Sequence, residues 1–182
     1  MTITDAQRDV RTVFQGGFAG QVVSSAVWFL SAATATWRSP MAAMEVLVVA
    51  GIFIFPMTRL LLNAMGRPSS LPKGHPMNAL AMQVAFVLPL TLPLVFAAAA
   101  YRRNWFYPAF MIALGSHYLP FIFLYGMWQF GVLAALLVSS GLLIGMYLPS
   151  VFSLGAWLTA VVLLGFAFVG RAVSLADNKK AQ

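Results

Sequence analysis

Cysteine is absent from the 182-residue chain, which removes disulfides, thiolate nucleophiles and cysteine-ligated metals from consideration. Carboxylates are nearly as scarce, at four Asp and Glu against 11 Lys and Arg. Asp5, Asp9 and Asp177 fall in the terminal segments, so no pair of carboxylates is available for acid–base chemistry in the apolar part. Charged residues of both signs make up 8% of the chain, whereas a soluble domain carries about 25%. Such a surface cannot coat a globule in water. The sequence also lacks an HExxH zinc motif, a phosphate-binding loop and a GxSxG elbow. His75, His117 and Glu45 lie in different segments, too sparse for a metal centre. Ser139-Ser140 has no base nearby and reads as packing. An enzyme is disfavoured, and no cofactor is expected.

What is present is apolar, with 61% of residues hydrophobic. Lipid is the solvent that removes the need for surface charge. The formal net charge of +7 does not indicate nucleic acid. The Lys and Arg sit in short segments between apolar runs, where they orient the chain and meet anionic lipid.

A helix crossing the hydrocarbon core needs about 20 apolar residues. Six segments qualify: Val13–Trp37, Met41–Met65, Met77–Ala100, Trp105–Tyr125, Trp128–Tyr147 and Val151–Arg171. Ala33-Thr34-Ala35 resembles a signal cleavage site, but the first run is long and interrupted by Gln21, so a retained helix is expected. Arg38-Ser39-Pro40, the loop from Gly66 to Pro76 and Tyr101-Arg102-Arg103-Asn104 separate the first four runs. The turns at Gly126 and at Leu148-Pro149-Ser150 are uncharged, and a five-span reading with one broken helix is the alternative. With both termini cytoplasmic, Arg8, Arg11, Arg59, Arg67, Lys73, Arg171, Lys179 and Lys180 lie inside, against Arg38, Arg102 and Arg103 outside, which accounts for all 11 and satisfies the positive-inside rule. The expected fold is an all-α, polytopic transmembrane helical bundle of about six spans. Residues 1–12 and 172–182 form cytoplasmic tails around a membrane domain at 13–171. In a bacterium this is a multi-pass protein of the cytoplasmic membrane.

Small residues let such helices approach. Gly16, Gly20 and Ser24 recur every fourth position in the first run, Gly141 and Gly145 form a GxxxG in the fifth, and Gly155, Thr159, Gly165 and Gly170 dot the sixth. Internal packing is the plainer reading of Gly141 and Gly145, and a homo-oligomer face the sharper one. Pro56, Pro89, Pro93, Pro108 and Pro120 lie inside runs. The third helix, with prolines one turn apart, is expected to kink.

Polar groups within spans are functional candidates by default, because lipid makes them costly. Gln21, Arg59, Gln83 and His117 each stand ~9–12 Å from the cytoplasmic end of a different run, at 1.5 Å per residue. Converging, they would line a ligand pocket with Arg59 as its charge anchor. The bland reading has Arg59 snorkelling and the others satisfying one another or nearby carbonyls. Glu45, near the outer end of the second run, shares a stripe with Ile52, Pro56, Arg59 and Asn63 on a continuous helix. It stands ~21 Å from Arg59, so its partner would be Arg38, Arg102 or Arg103.

Several short motifs carry a resemblance. They are Gly16-Gly17 and Gly20-Gln21, Phe55-Pro56-Met57-Thr58-Arg59, Phe106-Tyr107-Pro108-Ala109, Gly115-Ser116-His117-Tyr118-Leu119-Pro120-Phe121 and Leu124-Tyr125-Gly126-Met127. Together they resemble a family of small multi-span membrane proteins of unknown function. The resemblance places Gln21, Arg59 and His117 within its motifs and transfers no activity. The expected role is a small transporter or permease-like module with a cytoplasm-facing polar pocket. The alternatives are a membrane-embedded enzyme acting on a lipid or isoprenoid, and a non-catalytic partner subunit. Transporters are often built from internal repeats, and no internal identity is visible here.

Overall fold

The computed structural model describes residues 1–148 and 150–180, with side chains for all of these except 178–180. Pro149 of the expected turn, the Lys179 and Lys180 side chains and the last two residues of the expected C-terminal tail lie outside the described residues.

Eight α-helices follow in order: α1 Ile3–Phe14, α2 Phe18–Trp37, α3 Pro40–Ile52, α4 Ile54–Ala64, α5 Asn78–Tyr101, α6 Phe106–Tyr125, α7 Gln129–Tyr147 and α8 Leu154–Lys180. Among the described residues there is no strand. Five helical stretches are long and apolar enough to cross a membrane, and α3 with α4 adds a sixth as one bent pair. The helix boundaries follow the polar and turn-forming breaks. Ser39 caps α3 through its hydroxyl, which accepts from Ala42 N–H at 3.2 Å, and Pro40 opens it, where no N–H is needed. Gly126 ends α6 in the left-handed conformation, φ 62°.

Three features depart from the expected spans. The first run is not one helix from Val13. Gln15, Gly16 and Gly17 take φ of 49°, 64° and 85°, which turns the chain between α1 and α2. Residues 3–14, most of them in the stretch expected as a tail and the last two in the expected first run, instead form a helix opened by a Thr2–Asp5 capping box. The second run breaks at Phe53, and its halves meet at 54°. The cause is local: Pro56 has no N–H to offer the Ile52 carbonyl, so the ladder is bridged by Phe53 N–H to Ala50 O and Met57 N–H to Phe53 O. The stripe joining Glu45 to Arg59 is therefore interrupted. Pro56 and Pro108 each occupy the third position of a helix, so they start helices rather than kink them; Pro89, Pro93 and Pro120 lie in helix interiors.

The centre of the bundle is α2, α6, α7 and α8. Gly115, Gly141 and Gly145 let α6 and α7 close up: a Cβ on Gly141 would meet the Pro108 carbonyl oxygen at 2.8 Å, and one on Gly145 the Trp105 ring at 3.0 Å. Within one copy, α6 occupies the GxxxG face. Interhelical hydrogen bonds add direction. Ser25 donates to Ala160 O at 2.8 Å, Ser31 to Ala43 O at 2.8 Å, and the Trp157 indole to Thr36 Oγ1 at 3.0 Å. Helix α5 stands at the edge on α6, with Met82, Phe86, Leu90 and Leu94 55–75% exposed.

Candidate functional site

The four residues expected to form one polar layer do not share one environment. Gln21 is buried, at 3% exposure. Because α2 starts at Phe18, it sits at the end of the first turn, shallower than a helix from Val13 would place it. His117 is half-buried on α6, its imidazole against the Val84 backbone of α5 and 5.1 Å from the Phe121 ring. Its Nδ1 is buried without a partner. Arg59 and Gln83 are exposed on the flanks of α4 and α5, and the Arg59 guanidinium lies 5.9 Å from the Phe55 ring. Glu45 is exposed on α3.

The buried polar groups gather elsewhere, at the end of the bundle where α1 docks. The Gln7 amide donates to Phe123 O at 2.6 Å and Arg11 Nη1 to Tyr125 O at 2.6 Å. Arg11 Nε lies 3.6 Å from Asp177 on α8, and Ser174 donates to Arg11 O at 3.0 Å. Both termini therefore share one end of the bundle. The long loop joins the same end: His75 Nδ1 accepts from Met77 N–H at 3.2 Å, and its Nε2 faces Asp9 of α1 at 3.4 Å. Asp5 is held below the usual carboxylate range, first by the Thr2 hydroxyl and then by the Thr2 backbone N–H.

Beneath α1 the backbones of Gly16 and Gly170 touch. A Cβ on Gly16 would lie 2.2 Å from Gly170 O, so only glycine fits there. Beside this crossing is a crevice too narrow for a water molecule, lined by Gln21, Met127, Gln129, Phe130, Phe166 and Gly170. The Oε1 atoms of Gln21 and Gln129 are buried with no hydrogen-bond donor, as is that of Gln15 at the helix break. From His117 to the crevice the contacts run through Phe121 and Phe130, whose rings are 5.3 Å apart. Aromatic packing thus stands between Gln21 and His117.

Gln15, Gln129, Arg11 and the His75–Asp9 contact were not picked out from the sequence. The Gln15-Gly16-Gly17 triplet was the available signal, since two adjacent glycines favour a left-handed turn. Among the described residues, no three His, Asp or Glu side chains come together as a metal site.

Comparison with known proteins identifies the family. A family model described as a family of unknown function, DUF7010, matches residues 3–171. The chain belongs to the DUF7010 family. The DUF7010 match spans α1 through most of α8 and so includes the docked helix, the broken α3–α4 pair and the crevice. No curated protein and no solved structure matches the chain.

Proposed function

We propose that this DUF7010 protein is a membrane-spanning, non-enzymatic binding module of the small transporter or permease kind. Its pocket lies where α2, α7 and α8 meet, and this end faces the cytoplasm. One observation carries the reading: Gln21 and Gln129 line one crevice, and the side-chain oxygen of each is buried with no donor. An unmet buried acceptor is costly, and cost of this kind inside an apolar bundle marks function. The cytoplasmic assignment is supported by charge. At this end Asp5, Asp9 and Asp177 are engaged by Thr2, His75 and Arg11. Arg8, Arg59 and Lys73 are left exposed, and Arg67 and Arg171 half-exposed, to face anionic lipid. In this form of the protein the crevice is closed, too narrow for a water molecule.

The test is mass spectrometry of small molecules co-purifying from native membranes. The wild type and the Arg59→Ala and Gln83→Leu variants retain a common species that Gln21→Leu and Gln129→Leu lose, at equal membrane insertion. If all five proteins carry the same molecules, the pocket reading is wrong.

A second reading, a partner subunit, is supported by Glu45, exposed and without an ion-pair partner among the described residues, and by the bared apolar flank of α5. Cross-linking from position 45 in native membranes to a second protein favours it.

A further inference from the structure

We infer that α3 is a docking face for a second copy of this chain, joined by reciprocal ion pairs between Glu45 of each copy and Arg38 of the other. This narrows the partner-subunit reading to a self-partner and rests on the membrane-spanning reading; it does not depend on the crevice.

Glu45 is the one carboxylate of the sequence outside the terminal segments, and packing turns it outward. Ala43 and Leu47 are buried, at 0% and 2% exposure, and Ser31 of α2 donates to the Ala43 carbonyl at 2.8 Å. Glu45 lies midway between them in sequence and so on the opposite face of the helix. Rotating α3 to hide the carboxylate would break the Ser31 bond and bare Leu47. The outward stripe is Met41, Glu45, Val49 and Ile52, and its three apolar members are 55–71% exposed. Glu45 is the sixth residue of α3, ~8 Å from the helix start at 1.5 Å per residue. A carboxylate at that depth on an apolar flank is costly unless a cation meets it.

Within one copy none does: Glu45 has no ion pair among the described residues. The same end of the bundle, away from the termini, carries Arg38, Arg102 and Arg103, all exposed and without an ion pair among the described residues. A second copy in the same bilayer therefore brings the missing charge at a matching height. Arg38 is the counterpart because it belongs to the turn that leads into α3. Arg102 instead lies over the Tyr101 ring at 5.6 Å, and Arg103 opens the turn before α6. Seven residues separate Arg38 from Glu45, ~10 Å along the helix, a drop that an arginine and a glutamate side chain span together. A two-fold axis beside α3, along the membrane normal, makes the contact reciprocal. The interface then closes with two ion pairs, while Met41, Val49 and Ile52 meet the same stripe of the other copy. Complementary charge of this kind fixes partner and register as well as attracting.

The experiment co-expresses two differently tagged full-length copies and reads how much of one co-purifies with the other in mild detergent, at equal membrane insertion. Wild-type copies co-purify above the level found when separately expressed membranes are mixed. Glu45→Arg with itself and Arg38→Glu with itself each bring like charges together and lose the association. Glu45→Arg with Arg38→Glu restores it, because both contacts again join opposite charges; an ion pair inside one copy is not repaired by such mixing. The chain has no cysteine, so Val49→Cys, which leaves both charges in place, gives an independent reading if a charge variant fails to insert. A short thiol cross-linker in native membranes links it into a dimer, and links Leu94→Cys, on the 71% exposed flank of α5, less. Wild-type copies that do not co-purify, charge variants that self-associate like wild type, a mixture that is not restored, or Val49→Cys linking no better than Leu94→Cys each overturns the proposal. Cross-links from position 45 to a different protein, without self-association, keep the partner-subunit reading and overturn the second copy. Release of the wild-type chain from membranes by alkaline carbonate removes the membrane-spanning reading and the proposal with it.

Discussion

Alanine at Gly170 separates packing from conformation, because this glycine lies in a helix and needs no special φ. An added Cβ would sit 2.5 Å from the Gly16 carbonyl oxygen. That oxygen is backbone and cannot swing aside, so α8 and the α1–α2 junction must part by about 1 Å to reach ordinary contact. Overpacking of this sort costs about 1–3 kcal/mol. At the scale of a chain this long, it lowers the unfolding midpoint by about 2–12 °C. Gly165, five residues earlier in the same helix, is the control. Its Cβ would meet nothing within 4 Å, so alanine there gains helix propensity, up to about 1 kcal/mol. The assay is thermal unfolding of both variants in one detergent, with hydrogen exchange across α1. Gly170→Ala unfolds earlier and exposes α1, while Gly165→Ala matches or exceeds wild type. A Gly170→Ala protein as stable as Gly165→Ala refutes the claim that the two backbones touch.

Ser31→Ala removes the side-chain partner of the buried Tyr107 hydroxyl, 2.6 Å away, and leaves it the longer bond to Ser31 O at 3.4 Å. It lowers stability by about 1–3 kcal/mol, and adding Tyr107→Phe recovers part of that loss; a double variant losing the full sum of the two single losses contradicts the shared bond. Asp5 has a folded pKa below its unfolded one, so its contribution to α1 is complete above the ordinary carboxylate value and disappears as pH falls through the lowered one. Protection of the Ala6 amide, which bonds Thr2 O at 3.1 Å, drops over that acid window after correction for intrinsic exchange. Asp5→Asn removes the step, and an unchanged step in that variant assigns it to another group.

The number of long apolar stretches and most helix ends were legible because such helices are set by length and by polar or turn-forming punctuation. Gly126 and the Arg38-Ser39-Pro40 turn fall where they were read. Hydropathy averages over a window, and so it ran across Gln15-Gly16-Gly17, where three successive left-handed residues turn the chain. It also ran through Phe53, where the break depends on one missing N–H at Pro56. The facing of the polar layer's side chains was hidden for a different reason. Counting residues gives depth along a helix, but it does not say which way a side chain faces once helices pack. Arg59 and Gln83 were placed at a sensible depth and emerge on outer flanks. Gln129, the first residue of α7, stood at the edge of the expected fifth run and was not singled out. Its amide gains meaning only when α2 and α8 arrive beside it.

Helices α2 and α8 are joined by a bond spanning 135 residues of chain, by the Trp157–Thr36 bond nearer the opposite end, and by the glycine crossing under α1. On the membrane-spanning reading proposed above, α2 enters the bilayer long before its partner exists. Until α8 follows, Ser25 and Gln21 have no neighbour on that side, and the halves of the future crevice are apart. Assembly is consequently a ring closure completed by the latest of these helices, and truncation before α8 leaves an early helix with a polar seam that the cell's membrane quality control can recognise.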